Sequence, residues 1–470
     1  MRQVSRSLIF CLTALLLAHA TLPAANAAPA AAPPAGFAYF AETGHNLGPQ
    51  IKPFFDANGG VEIFGMPLTE LIVGADGKQV QYFERARFEY YPDRPLGQRI
   101  ELSLLGSLLS AGREAEEPFL WRTGSASPDR QFFPESGHTL GGAFSWLWQS
   151  RGGVPIFGFP ITEEFMEVSL ADGQSYLVQY FQRARFEYHP ELQGQPGEVQ
   201  IASLGRNLIE RDPLALAARA PVRAVELLGQ STTGYSSSSY ERVTNIGRSS
   251  EMLDGWVVPK GAEFSFAGVG DFSERNGFVA GYAIVGGRLE KVIGGGLCQV
   301  STTLFRAVSN AGLQVTRRVG HSHVVYFYEN ILGFDATIFT PNVDFRWRND
   351  SPGPIYVSVI NDPVAGRLTF QMWGSNDGRK VSYEGPFTKN WTKPGRPVWQ
   401  YDKSLPNGAV SQLVHGRQGV DVNYIRTIRG SDGRFISRDN YFTHYTPWED
   451  FYIYGPGVTP PANAVVIPAR

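Results

Sequence analysis

The sequence predicts a multidomain α+β protein. Three observations carry that prediction: one unit occurs twice in the first half, a glycine-rich loop later runs into a helical period amid short β-runs, and the C-terminal part reads as strands and turns alone. The expected order is two N-terminal mixed α/β repeats, a central α+β domain with one main helix packed on β-strands, and a C-terminal all-β module. With 470 residues, 43% hydrophobic and 18% charged, the chain is long enough for several cores. A formal net charge of -2 argues against a general polyanion binder, and no basic patch marks a nucleic-acid surface.

Residues 1–27 read as a secretory signal. Arg2 and Arg6 precede the apolar run from Leu8 to Ala18, and Ala25-Asn26-Ala27 offers small residues for cleavage. No later segment approaches the roughly 20 apolar residues of a membrane span, so no stable span is expected after cleavage and the expected location is secreted or wall-associated. The two cysteines are Cys11, inside the signal, and Cys298. An odd thiol in an exported protein points to a reactive group or an intermolecular pair, while a small buried hydrophobe is the plainer alternative.

Residues 28–36 form an Ala/Pro spacer. Repeat 1 (37–110) contains Phe40-Ala41-Glu42-Thr43-Gly44-His45, Ile63-Phe64-Gly65-Met66-Pro67 and Gln81-Tyr82-Phe83-Glu84-Arg85-Ala86-Arg87-Phe88-Glu89-Tyr90. Repeat 2 (131–210), after a linker at 111–130, answers with Phe133-Pro134-Glu135-Ser136-Gly137-His138, Ile156-Phe157-Gly158-Phe159-Pro160 and Gln179-Tyr180-Phe181-Gln182-Arg183-Ala184-Arg185-Phe186-Glu187-Tyr188. The offset is 93 residues at the histidines and 98 at Tyr82 and Tyr180, which places a five-residue insertion in a loop or hairpin near Asp172-Gly173. The recurring His45/His138, Arg85/Arg183, Arg87/Arg185 and Glu89/Glu187 are expected to support the fold, since a repeated fold repeats its own hydrogen bonds, with a ligand site as the alternative. The Phe-Gly-Met/Phe-Pro core resembles LGFP-type repeats of bacterial wall-associated proteins, which implies a wall-binding role.

A linker at 211–222 leads into the central domain, 223–386. Strands are expected at 263–266, 282–285, 313–319, 324–328, 336–339, 355–360 and 368–373. The helix follows Gly294-Gly295-Gly296-Leu297-Cys298-Gln299, because Val300, Leu304, Val308 and Ala311 recur at a helical step and Gly312 offers a stop. Cys298 therefore lies at a helix N-terminus, where free N–H groups and the dipole favour a thiolate. Residues 387–455 read as the all-β module, with a turn at Asp432-Gly433, and 456–470 as a tail.

Thiol acyl transfer needs a nucleophile, a base and a group that orients the base. Cys298 is the candidate nucleophile, His321 the base and Asp335 the orienter. His323 competes with His321, because in a strand the two would share a face. Backbone N–H groups near Gly296, Cys298 and Gln299 would form an oxyanion hole, and Arg318 would bind a substrate carboxylate or lie in an ordinary salt bridge. No metal or organic cofactor is expected, although a His-x-His site joined by Asp335 is conceivable.

Asn245-Ile246, Pro259 to Phe266, Gly281-Tyr282, Gly294 to Leu304, Arg318 to Ser322 and Gly333 to Ala336 together resemble the VanW family of bacterial cell-envelope proteins. The resemblance covers roughly 223–374 and selects His321 through its His-Ser pattern. It implies a role in peptidoglycan, with cysteine-dependent L,D-transpeptidase-like chemistry on stem peptides. It also implies an extra C-terminal β module like residues 387–455. A non-catalytic peptidoglycan or cell-wall binding protein, gripping stem peptides or glycan, is the alternative.

Overall fold

In the computed structural model, described residues run from 36 to 467, apart from 96, 125, 170, 286, 287 and 341, with no side chains described for 282–290, 328 and 329. The signal and nearly all of the Ala/Pro spacer lie outside them.

Each repeat opens with a two-stranded ribbon, Ala38–Phe40 with His45–Leu47 and Arg130–Phe133 with His138–Gly141. Two helices, a four-stranded antiparallel sheet and a short final helix follow in both. The extra residues lengthen one hairpin: Ile72 pairs with Val80 in the first copy, and Phe165 with Val178 in the second. Phe64, Phe83 and Phe88 fill the first copy as Phe157, Phe181 and Phe186 fill the second.

The repeated polar residues are tied into this scaffold. Arg87 donates to Ser103 Oγ at 2.7 Å, Arg185 pairs with Glu187, and His45 and His138 lie 3.6 and 3.4 Å from Glu70 and Glu163.

The two copies exchange their final helices. Leu105–Ser110 of the first docks on the Phe181 turn of the second, and Leu204–Ile209 of the second docks on the Phe83 turn of the first. Ser107 N donates to Gln182 O at 3.2 Å and Arg206 N to Glu84 O at 3.1 Å. Both contacts require glycine: a Cβ on Gly106 would stand 1.8 Å from Phe181 O, and one on Gly205 1.9 Å from Phe83 O.

The central domain has a four-stranded antiparallel sheet ordered Val225–Gly234, Arg367–Ser375, Ile355–Asp362, Val257–Val258. Helix Leu297–Asn310 packs across its first two strands, with Val300, Leu304, Phe305 and Val308 fully buried. A second helix, Tyr240–Leu253, covers Ile355–Asp362 where the sequence led us to expect one main helix. Its buried face carries Asn245, Ser249 and Ser250 beside Ile246 and Leu253, so hydrophobic periodicity hides it.

Two expected strands are absent. Residues 324–328 enter a 3₁₀ turn, Tyr326–Ile331, and 336–339 form irregular chain with one bridge from Phe339 to Val343. In 336–339 the backbone groups of Ala336 and Thr337 are met by helix side chains and a loop carbonyl instead of a ladder.

The C-terminal region is all β, with Lys380–Thr392, Gly419–Arg429 and Phe435–Tyr445 in one sheet. The second sheet orders Val410–Val414, Phe451–Tyr454, Val398–Tyr401 and Val465–Ile467, so part of the expected tail is a strand. Val420, Val422, Tyr424, Tyr441 and Tyr445 belong to the same core as the Cys298 helix. Buried Arg426 closes that helix, donating to Ser309 O at 3.1 Å and Leu313 O at 3.0 Å, where a cation complements the helix dipole.

Gly205→Ala will lower stability by at least about 2 kcal/mol, since neither carbonyl nor helix can yield to the overlap. Gly247→Ala, in helix Tyr240–Leu253 with no neighbour closer than 3.7 Å to the new Cβ, will instead be neutral or stabilising by up to about 1 kcal/mol. Urea denaturation of the two variants checks the contrast.

Candidate active site

The loop before Cys298 is shaped by contact as well as by turn geometry. Gly294 and Gly296 adopt φ of 83° and 116°, and a Cβ on Gly295 would lie 2.8 Å from the backbone of Gly281. Asn245 clamps the loop by donating to Gly295 O and Val279 O, both at 2.9 Å, while accepting from Val279 N at 2.9 Å.

Helix Leu297–Asn310 starts at Gly296, and its polar residues reach different neighbours. Gln299 donates to Thr233 Oγ1 at 2.7 Å and Gly234 O at 2.9 Å and accepts from Arg242. Ser301 and Thr302 grip Ala336 O at 2.5 and 3.1 Å, and Thr302 Oγ1 accepts from Ala336 N at 3.1 Å. Thr303 bonds Thr233 at 2.7 Å. The polar run after the cysteine thus fastens the irregular segment on one side and the sheet on the other.

That fastening brings three of the sequence candidates together. The half-buried Cys298 feels His321 as the chief group favouring its thiolate, and its Sγ lies 3.4 Å from Thr337 Oγ1 and 3.5 Å from Ile338 O. His321 Nδ1 meets Asp335 Oδ2 in a short contact, and its backbone N–H donates to the same oxygen at 3.1 Å. The other carboxylate oxygen accepts from Arg318 Nη2 at 3.0 Å and from Tyr445 OH at 2.9 Å.

The charges follow. Burial opposes the Asp335 carboxylate, yet His321 and Arg318 beside it hold it down to about 2. Burial also opposes an imidazolium at His321, but Asp335 lifts it to about 9. The Cys298 thiol, which burial alone would raise, is brought down to about 7 chiefly by His321, with smaller help from Ile338 and Thr337. Between those two values the pair is a thiolate beside an imidazolium, the poised form of a thiol nucleophile.

The other sequence candidates separate. His321 and His323 lie in irregular chain, so the same-face argument, which needs a strand, fails. His323 Nδ1 faces Thr446 O at 3.0 Å, and its ring lies 4.2 Å from that of Trp448, with burial lowering its basicity. Gly296 shapes the helix start. The Gln299 N–H is committed to Gly296 O at 3.0 Å, which removes it as an oxyanion donor, whereas the Cys298 N–H has no acceptor among the described residues.

Arg318 is not presented to a substrate. Its side chain is 5% exposed, and it donates to Asp335 O at 2.5 Å, Gly333 O at 2.8 Å, Phe442 O at 3.1 Å and Thr443 Oγ1 at 2.8 Å. Among the described residues no three His, Cys, Asp or Glu side chains are grouped to hold a metal. Sequence reading missed Thr337 and Tyr445. Thr337 follows the singled-out Asp335-Ala336 pair directly, whereas Tyr445 lies 110 residues from Asp335 and carries no local signal.

Cys298 alkylation by iodoacetamide will rise through an inflection near pH 7 and level off above it, because a depressed thiol gains its reactive form on deprotonation at lower pH. Asp335→Asn will move that inflection above the ordinary thiol value of about 8.5, since the buried imidazolium loses its counter-charge. Thr337→Val will move it upward by less. Stopped alkylation followed by mass spectrometry from pH 5 to 10 measures all three.

The family described as VanW like protein matches residues 241–373, which hold Cys298, His321 and Asp335 but not Tyr445. The chain is 39% identical over 135 residues to the uncharacterized protein YoaR of Bacillus subtilis (strain 168), covering 28% of this chain and 44% of that protein. It is 27% identical over 144 residues to the vancomycin B-type resistance protein VanW of Enterococcus faecalis (strain ATCC 700802 / V583), covering 30% of this chain and 47% of that one. The chain thus spans less than half the length of either relative.

Two solved G5 domains, of HP0197 and of IgA1 protease, are similar at 20% identity over 16% and 17% of this chain and 95% and 96% of theirs. Their TM-scores of 0.09 and 0.10 are too low to argue a shared fold. No helix among the described residues is long and apolar enough to cross a membrane. The matched segment, with its Gly-Gly-Gly-Leu-Cys-Gln core at the start of the buried helix, makes residues 241–373 a domain of the VanW family.

Proposed function

We propose that this chain is an exported enzyme that transfers acyl groups of peptidoglycan stem peptides through Cys298. The observation that carries the reading is the grouping at a helix start of Cys298 with His321, which favours its thiolate, and with Asp335, which holds the His321 ring. The substrate class rests on the family resemblance and on a relative named for vancomycin resistance. Export and wall location rest on the signal pattern at 1–27 and on that same family.

The steps follow from the poised pair. The thiolate adds to a stem-peptide carbonyl, and the Cys298 N–H donates to the oxygen that gains charge. As the tetrahedral intermediate collapses, the carbon–nitrogen bond breaks and His321 gives its proton to the departing amine, leaving a thioester on Cys298. A neighbouring stem's amine then attacks the thioester, His321 accepts the proton it sheds, and the thiolate leaves. The product is a crosslink; water in place of the amine gives a trimmed stem. No step calls for a metal or an organic cofactor. Asp335 remains ionised throughout, holding the imidazole orientation.

Purified protein incubated with tetrapeptide muropeptides will yield crosslinked or trimmed products. Cys298→Ala and His321→Ala will each reduce the rate at least about a thousandfold, while His323→Ala will retain most of it. Liquid chromatography with mass spectrometry of the digests reads the result. Absence of both products, with wild type and Cys298→Ala behaving alike, replaces the enzyme with a peptidoglycan-binding protein.

A further inference from the structure

The core that surrounds the Cys298 helix does not end with the VanW domain. Strand Phe435–Tyr445 lies wholly outside the matched residues, yet its last three inward positions close on Asp335. Tyr441 packs on Phe305 and Phe334 at ring distances of 5.3 and 5.7 Å. Thr443 accepts from Arg318 Nη2 at 2.8 Å and donates to Gly333 O at 3.1 Å. Tyr445 OH donates to Asp335 Oδ1 at 2.9 Å and accepts from Gly333 N at 3.0 Å. Thr443 and Tyr445 are 4% and 3% exposed, which places these bonds in a medium where an unmet carboxylate lone pair is costly.

The consequence concerns direction more than charge. Asp335 has two oxygens, and its ionisation is already supported by Arg318 and His321. A neutral hydroxyl adds little to the field at the imidazole. What it does is join Arg318 in holding Oδ1, which leaves Oδ2 to the ring and N–H of His321 and opposes rotation of the carboxylate about its Cβ–Cγ bond.

Gly333 reinforces the same clamp. Its φ is 82°, and a Cβ there would lie 2.4 Å from Val422 of the neighbouring strand. The backbone leading into Asp335 is therefore pressed against the module.

We propose that the C-terminal β module is a built-in part of the reactive centre, with Tyr445 and Thr443 as positioning residues that aim Asp335 at His321. The proposal rests on the Cys298 nucleophile reading and goes beyond it, because it assigns the module a role in the chemistry rather than in wall attachment.

The test uses the full chain and the pH profile of Cys298 alkylation. Tyr445→Phe keeps the ring in the core and removes only the hydroxyl. Its inflection will move upward by roughly one pH unit, the equivalent of a weakened hydrogen bond to a charged group. Thr443→Val will move it in the same direction, and Thr443→Ser, which keeps the hydroxyl, will restore the wild-type profile. The Thr443 pair preserves the comparison should Tyr445→Phe fail to fold. A depressed wild-type inflection that neither Tyr445→Phe nor Thr443→Val shifts overturns the module's role alone. A wild-type inflection in the ordinary thiol range overturns this proposal and the nucleophile reading together.

Discussion

A single buried carboxylate governs the centre of this protein. Asp335 is 2% exposed, and an ion so placed is tolerated only when its oxygens are fully met. Two oxygens receive the His321 ring, the His321 N–H, the Arg318 guanidinium and the Tyr445 hydroxyl. These donors come from two stretches of chain, 318–321 and the strand that ends at Tyr445, so the charge draws a loop and a β module onto the irregular segment that carries Asp335. The imidazolium it supports is in turn what holds the Cys298 sulfur as thiolate.

The helix under Cys298 is fixed at both ends by parts far away in sequence. Asn245 and the packed glycines set its start, and Arg426 closes its end. Phe305 and Phe334, with ring centroids 4.7 Å apart, join it to the Asp335 segment, and Tyr424 and Tyr441 extend that contact into the module. Gln299, Ser301, Thr302, Thr303 and Arg306 along the helix are met by outside partners, so sliding it by one residue would orphan several of them at once. Such a helix positions a sulfur with little freedom, which is what directional chemistry requires.

The N-terminal repeats solve a different problem with the same economy. Each copy alone is small and leaves an apolar face open, and the exchange of final helices closes both faces reciprocally. Their recurring arginines, glutamates and histidines pair with one another and bond to the Ser103 hydroxyl and to backbone carbonyls. That is the expected fate of a charged set that a duplicated fold must carry twice.

Much of this was legible from residue order. Duplication, the added residues in the second copy and the helix after the glycines rest on spacing, because those features are local or recur, while the candidates Cys298, His321 and Asp335 were named from residue chemistry and the family resemblance. Helix Tyr240–Leu253 escaped because its inward face is polar, and the segment at 336–339 was misread because side chains of a distant helix, rather than a neighbouring strand, satisfy its backbone. The sequence by itself determined the folded units and the residue types available for thiol chemistry. Only the tertiary structure decided that Arg318 serves Asp335, that His323 turns to Trp448 and that Tyr445 reaches the carboxylate, because buried charges choose partners by distance and shielding, and neither can be read along a chain.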